Sequence, residues 1–306
     1  MTNSANQDNK PAILQRDYTN CLRGISILAI AVLHVVFKWD GIPRFLNLPA
    51  SVFVAAFIFL SGYGIHESYK KNGLKNYWYK RLKRIILPYT LLITVLIPFT
   101  DNFSWKDYLL DITYIHSSYW FIEFIMWNYL VYWVAQRFFP GKMMWVMLLA
   151  GFAGLNTLMQ VEAEQCCSFA AGVAVSQHIG TIRAMGRKKI ISYAAAGFLI
   201  GTFFVLLKEI PCVHSYKGTL IYNYILLMIK LPMSLSVMTL PMLFPVMLRS
   251  RVLYWLGIGS LEVYLVHMAL LDCVEMETLS ISIYTAATIV LSCVMYRADQ
   301  FIMRRL

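Results

Sequence analysis

Polar positions are rare in this chain, and between them apolar stretches of about 17 to 21 residues recur almost to the C-terminus. In helical form, stretches of that length span the ~30 Å hydrocarbon core of a bilayer. Ten are read, at 21–37, 48–66, 85–99, 119–138, 143–160, 166–182, 190–207, 219–247, 252–271 and 280–296. Their apolar positions are continuous and do not alternate, which excludes a transmembrane β-barrel. The expected fold class is all-α, a polytopic transmembrane bundle of about ten helices. The stretch 219–247 holds Lys230, Pro232, Pro241 and Pro245; it reads as one proline-broken span or as two short ones.

Charge gives this pattern a direction. Only 14% of the 306 residues are charged against 59% hydrophobic, and the net charge is +11. Such a surplus can mark a nucleic-acid binder, but here the cations fall in alternate short connections, as topology signals do. With both termini cytoplasmic, the inner segments collect about 21 of the 27 Lys and Arg residues, including Lys10, Arg16, Arg23 and the run from Lys70 to Arg84. Lys38, Arg44, Lys106, Lys208 and Lys217 remain outside. An odd number of spans would scramble this alternation. Residues 1–20 form a polar tail without a basic region ahead of the first apolar run, so that run reads as a retained span. No connection is long enough for a soluble domain, and residues 1–306 read as a single integral-membrane unit. The six cysteines show no metal-ligand spacing and read as small apolar residues; no metal and no tightly bound cofactor is expected.

Chemistry has few places to reside. Arg23 and His34 stand eleven residues apart at the two ends of an apolar run. At about 100° per residue this is three turns plus roughly 20°, so both leave one helix face. At ~1.5 Å per residue His34 lies about 16 Å deeper, near the membrane midplane. Ionisable groups at that depth are costly and usually functional. Ser61 lies near the inner end of the second run, Glu123 in the outer part of the fourth, and Glu262, Tyr264 and His267 in the ninth. Taken as one straight helix from Val252, the ninth run puts Glu262 near the midplane and His267 about 22 Å from its start. Interhelical hydrogen bonds that serve packing are the plain alternative for Glu123, Glu262 and His267. Between the second and third runs, residues 69–84 interleave aromatics with Lys and Arg. This segment reads either as an interfacial belt or as a polyanion site in which Arg81 and Arg84, one turn apart, face the same way.

Five stretches carry a family resemblance: Arg23-x10-His34; Phe57-Ile58-Phe59-Leu60-Ser61-Gly62-Tyr63; Arg81-Leu82-Lys83-Arg84 with Pro88 following; Ser118-Tyr119-Trp120-Phe121-Ile122; and Ser260 through Tyr264 to His267. In this order they resemble the acyltransferase family 3 membrane proteins, which modify sugars of bacterial surface polysaccharides, lipopolysaccharide and related glycans. Glu123 departs from the family pattern, standing three residues after Trp120 where many members carry an acid some five after. Larger members append an extracytoplasmic hydrolase-like domain, which is not expected here. The resemblance implies a multi-pass protein of the bacterial inner membrane that moves an acyl group, most often acetyl, from acyl-CoA to a hydroxyl of a cell-surface glycan or lipid-linked sugar. Arg23, Arg81, Arg84 and Ser61 would hold the donor. His34, with Arg23, would be catalytic, as a general base or as an acyl carrier. Glu123, Glu262, Tyr264 and His267 would line the acceptor side. From the residues alone, a proton-coupled transporter or flippase for a lipid-linked or small anionic substrate is the competing reading.

Overall fold

The structure is a computed structural model that describes residues 13–38, 47–96, 104–113, 117, 119–275 and 277–305. Lys10, Arg44, Ser118 and residues 97–99 of the third apolar run lie outside the described residues. The described chain is helical, with no strand among its residues. The principal helices are α1 (Arg16–Val36), α2 (Asn47–Asn72), α3 (Leu87–Leu96), α4 (Trp120–Phe138), α5 (Met143–Thr157), α6 (Ser168–Gln177), α7 (Arg187–Lys208), α8 (Leu220–Val237), α9 (Arg251–Ile258), α10 (Ser260–Leu271) and α11 (Thr278–Arg305). Among the described residues, five helices are long and apolar enough to cross a membrane: Arg16–Val36, Leu48–Asn72, Arg187–Lys208, Leu220–Leu243 and Thr278–Arg305. α9 and α10 together would make a sixth, and α3 to α6 singly fall short in length or apolarity.

Without a hydrophobic drive between helices in lipid, close packing depends on small residues. α1 crosses α9 where Gly24 meets Leu253 and Gly257 meets Asn20, and α2 crosses α6 where Gly62 meets Phe169 and Gly172 meets Phe59. A Cβ at any of these four glycines would collide with a backbone carbonyl. The pairings also show that α1 and α9 run in opposite senses. The long apolar run 219–247 forms one helix through Pro232, with Pro241 in a separate short turn at Leu240–Leu243. Phe198, Leu199, Phe203 and Leu206 on α7, and Ile283, Val290 and Val294 on α11, are exposed apolar side chains of the kind that meets lipid.

Two local features depart from the regular helices read in the sequence. The chain after α5 folds back, so that Glu164 pairs with the buried Lys230 of α8 and the Gln165 amide donates to the Ser51 carbonyl at 3.2 Å. The pairing accounts for a lysine inside an apolar span, since an unpaired ammonium there would be prohibitive. The second is the ninth run. It is not one straight helix but two, bent by 80° at Gly259. The ascent toward His267 therefore begins at Ser260, about 10 Å below it at ~1.5 Å per residue, and the depths drawn from a straight helix at Val252 do not hold.

Candidate functional site

Five separated stretches converge on a cavity of about 250 Å³, α4 among them with Phe121, Ile122, Ile125 and Tyr129. α1 contributes Arg23, α2 contributes Ser61, Gly64 and Ser68 along one face, and the segment after α2 contributes Lys80, Arg81 and Arg84. α10 contributes Ser260 and Glu262. Arg23, Arg81, Arg84 and Ser61, the residues read from sequence as donor ligands, thus line one wall system. Lys80 and Ser68 were missed as lining residues, although both were legible: Lys80 adjoins Arg81, and Ser61, Gly64 and Ser68 follow i, i+3, i+7 spacing.

The position of each cation has a local cause. Arg23 lies against the bare backbone of Gly64, where a Cβ would stand 3.2 Å from its Nη2. Arg81 lies in the short helix Tyr77–Arg81; its guanidinium stacks 4.3 Å above the Tyr77 ring and 5.5 Å from that of Tyr129, an arrangement suited to a planar cation. The Tyr77 hydroxyl donates to the Tyr129 carbonyl at 2.8 Å, and burial pushes this phenol's pKa up, keeping it a donor. Between Arg81 and α3 the backbone is a π-helix, Leu82–Ile86. Pro88 has no N–H for the Arg84 carbonyl and its ring would crowd that oxygen, and a widened turn relieves the conflict. Arg81 and Arg84 are therefore not one regular α-turn apart, yet both reach the same cavity. The Ser61 hydroxyl donates to the Phe57 carbonyl at 3.1 Å, which leaves its oxygen free to accept.

A second, smaller cavity of about 120 Å³ adjoins the first and shares Phe57, Phe121, Ser260 and Leu261 with it. Ile27, Ile30, Val54, Trp120, Tyr264 and Met268 complete its wall around His34. No charged side chain lines it among the described residues. The Arg23-to-His34 face of α1 thus runs from a cationic chamber, past the four residues that both share (the neck), to an apolar one.

His34 has a partner there. Its Nδ1 lies 3.2 Å from Nε2 of His267, with the rings tilted by only 20°. His267 is fully buried, and its Nδ1 lies 2.9 Å from the Val263 carbonyl. A carbonyl only accepts, so Nδ1 of His267 carries a proton. With both rings neutral, His267 Nε2 then accepts from His34 Nδ1–H, and the His34 lone pair is left on Nε2. A further ion pair, Lys38 with Asp272 at 3.2 Å, ties the ends of α1 and α10. These two contacts set the helices side by side in the same sense and bring His267 level with His34, not toward the outer surface as a straight ninth span implied.

Two other residues named from sequence complete the account. Tyr264 lines the His34 chamber; its buried oxygen faces the Phe121 N–H, and its hydroxyl proton has no acceptor among the described residues. Glu123 lines neither cavity. Its Oε2 accepts the Ser117 N–H at 3.1 Å, which secures the chain ahead of α4.

The described residues thus form a helical membrane protein in which a cationic cavity adjoins an apolar one lined by the half-buried His34. The family model of the Acyltransferase domain, Acyl_transf_3, matches residues 16–297, and the chain belongs to this acyltransferase 3 family. Neither curated proteins nor solved structures yield a match. The protein is accordingly a membrane acyltransferase in general class.

Proposed function

We propose that this protein is a ten-span O-acyltransferase of the bacterial inner membrane, with both termini cytoplasmic. It moves an acetyl group from cytoplasmic acetyl-CoA to a hydroxyl of a cell-surface glycan or lipid-linked sugar. The observation that carries the proposal is the adjacency of the two chambers: four cations line one, His34 lines the other, and both are walled by Phe57, Phe121, Ser260 and Leu261, the neck between them. Arg23, Lys80, Arg81 and Arg84 receive the donor's phosphates, for which guanidinium groups are the suited partners. The neutral pantetheine arm passes the neck and brings the thioester to His34. Glu262, buried with its Oε2 unpaired beside the cationic chamber, accepts an amide N–H of that arm.

The reacting atom is His34 Nε2. As a base it takes the proton of the acceptor hydroxyl while that oxygen bonds to the carbonyl carbon; the C–S bond then breaks, and the proton passes to the departing thiolate. As a carrier, the same lone pair takes the acetyl group first and yields it to the acceptor afterwards. A single turnover without acceptor separates these routes, because only the second releases thiol in that case. His267 holds the ring and its tautomer in both.

The test is transfer of label from labelled acetyl-CoA to envelope glycans in membranes that contain the protein. Label in the glycan, in ester linkage, is expected. A proton-linked substrate flux with acetyl-CoA never consumed would overturn the proposal in favour of a transporter.

A further inference from the structure

The Tyr264 hydroxyl is a buried polar atom without a function in the packing. Tyr264 is 9% exposed and lies in the wall of the His34 chamber; its oxygen faces the Phe121 N–H at the start of α4, and among the described residues none accepts a hydrogen bond from its hydroxyl proton. A donor left unsatisfied in a protein interior is destabilising. The ring itself is fully engaged: it meets Phe121 at 5.2 Å, Tyr119 at 6.0 Å and His267 at 5.6 Å between centroids. Phenylalanine would satisfy all three contacts. Packing therefore explains the ring and leaves the hydroxyl proton over.

We infer that Tyr264 is a catalytic residue, whose hydroxyl donates a hydrogen bond to the thioester carbonyl oxygen and to the oxyanion formed from it. This rests on the acyl-transfer reading above and adds to it the group that stabilises the developing charge. When the acceptor oxygen bonds to the carbonyl carbon, the π electrons move onto the carbonyl oxygen, and a donor already in place stabilises them without reorganisation. Collapse returns the electrons, breaks the C–S bond and leaves Tyr264 unchanged, its proton never transferred. If His34 attacks first, the same oxyanion forms at the same oxygen, so the role holds for either route. The placement suits it. Tyr264 sits one turn beyond Ser260 in the wall of the His34 chamber, with its ring against Phe121, one of the four residues that both chambers share. Trp120 and Phe121, the first residues of α4, line the same chamber, so the positive end of that helix dipole adds to the effect.

The test is Tyr264→Phe in the full-length protein in membranes, with [1-13C]acetyl-CoA as probe. The expected result is a kcat about 100- to 1,000-fold lower with the KM for acetyl-CoA changed less than about twofold. In isotope-edited infrared spectra, the bound wild-type carbonyl stretch should lie below that of free acetyl-CoA and return toward it in the variant. Unchanged kcat in the variant overturns the assignment to Tyr264 alone. So does a wild-type carbonyl stretch equal to that of free acetyl-CoA, a reading that needs no variant. A wild-type protein that neither binds nor consumes acetyl-CoA instead overturns the acyl-transfer reading beneath it.

Discussion

Replacing His267 separates orientation of the reacting histidine from donor binding. His267 Nε2 stands 3.2 Å from His34 Nδ1 and is held by its own bond to the Val263 carbonyl. In His267→Leu the His34 Nδ1–H loses its acceptor inside a chamber whose described walls carry no charged side chain. An orphaned buried donor costs roughly 1–3 kcal/mol. His34 avoids part of that cost by turning or by moving its proton to Nε2, and both remove the lone pair from the reacting position. At about 1.4 kcal/mol per decade the loss corresponds to a kcat about five- to 150-fold lower. The KM for acetyl-CoA should stay within about twofold, because the cationic chamber is untouched. His267→Gln is the control. Its amide oxygen can stand near the Nε2 position and accept the His34 proton, so it should recover a substantial part of kcat. The assay is initial-rate transfer from labelled acetyl-CoA in membranes. A leucine variant with wild-type kcat, or a glutamine variant no better than leucine, would refute the reasoning.

Three further outcomes follow from the same geometry. Arg81→Gln with Arg84→Gln should raise the KM for acetyl-CoA at least about 100-fold with kcat nearly unchanged, since two charge-assisted hydrogen bonds of about 1.5–3 kcal/mol each are lost; titration of acetyl-CoA in initial-rate assays checks this, and an unchanged KM contradicts it. The His34 chamber, at about 120 Å³, is smaller than the ~150 Å³ that holds a benzene ring, and no cation lines it among the described residues. Acetyl-CoA should therefore be preferred over succinyl-CoA by about 1,000-fold in kcat/KM, since a carboxylate buried without a partner costs several kcal/mol, and Met268→Ala should admit longer neutral acyl chains. Glu164→Gln, which strands the Lys230 ammonium, should destabilise the fold by about 3–5 kcal/mol, whereas Glu164→Leu with Lys230→Met should recover most of that; thermal unfolding in detergent distinguishes the two.

The residues themselves foretold a good part of the site and less of the fold. Arg23 and His34 share a face because eleven residues close three helical turns, and no tertiary information is needed for that. Arg81, Arg84 and Ser61 were found through motif order, and the structure brings them with Arg23 to a single cavity. The His34–His267 contact was not legible, because helical periodicity cannot show a bend. An 80° break at Gly259 depends on how α9 crosses α1 at Gly24 and Gly257, which is a property of two segments more than 200 residues apart. The π-turn before α3 had a signal in Pro88, four residues after Arg84, that a regular helix passes over. The fold-back after α5 had one in Lys230, a lone ammonium in an apolar run that required a partner. Its partner Glu164 lay in a connection with nothing to mark it.

The most direct measurement of the central claim, that His34 Nε2 is the reacting atom at the end of the donor's path, is His34→Ala in membranes given labelled acetyl-CoA and glycan acceptor. The account predicts that transfer falls to background while acetyl-CoA still binds with its wild-type Kd, because the four cations of the neighbouring chamber remain. Transfer at the wild-type rate in that variant would contradict it.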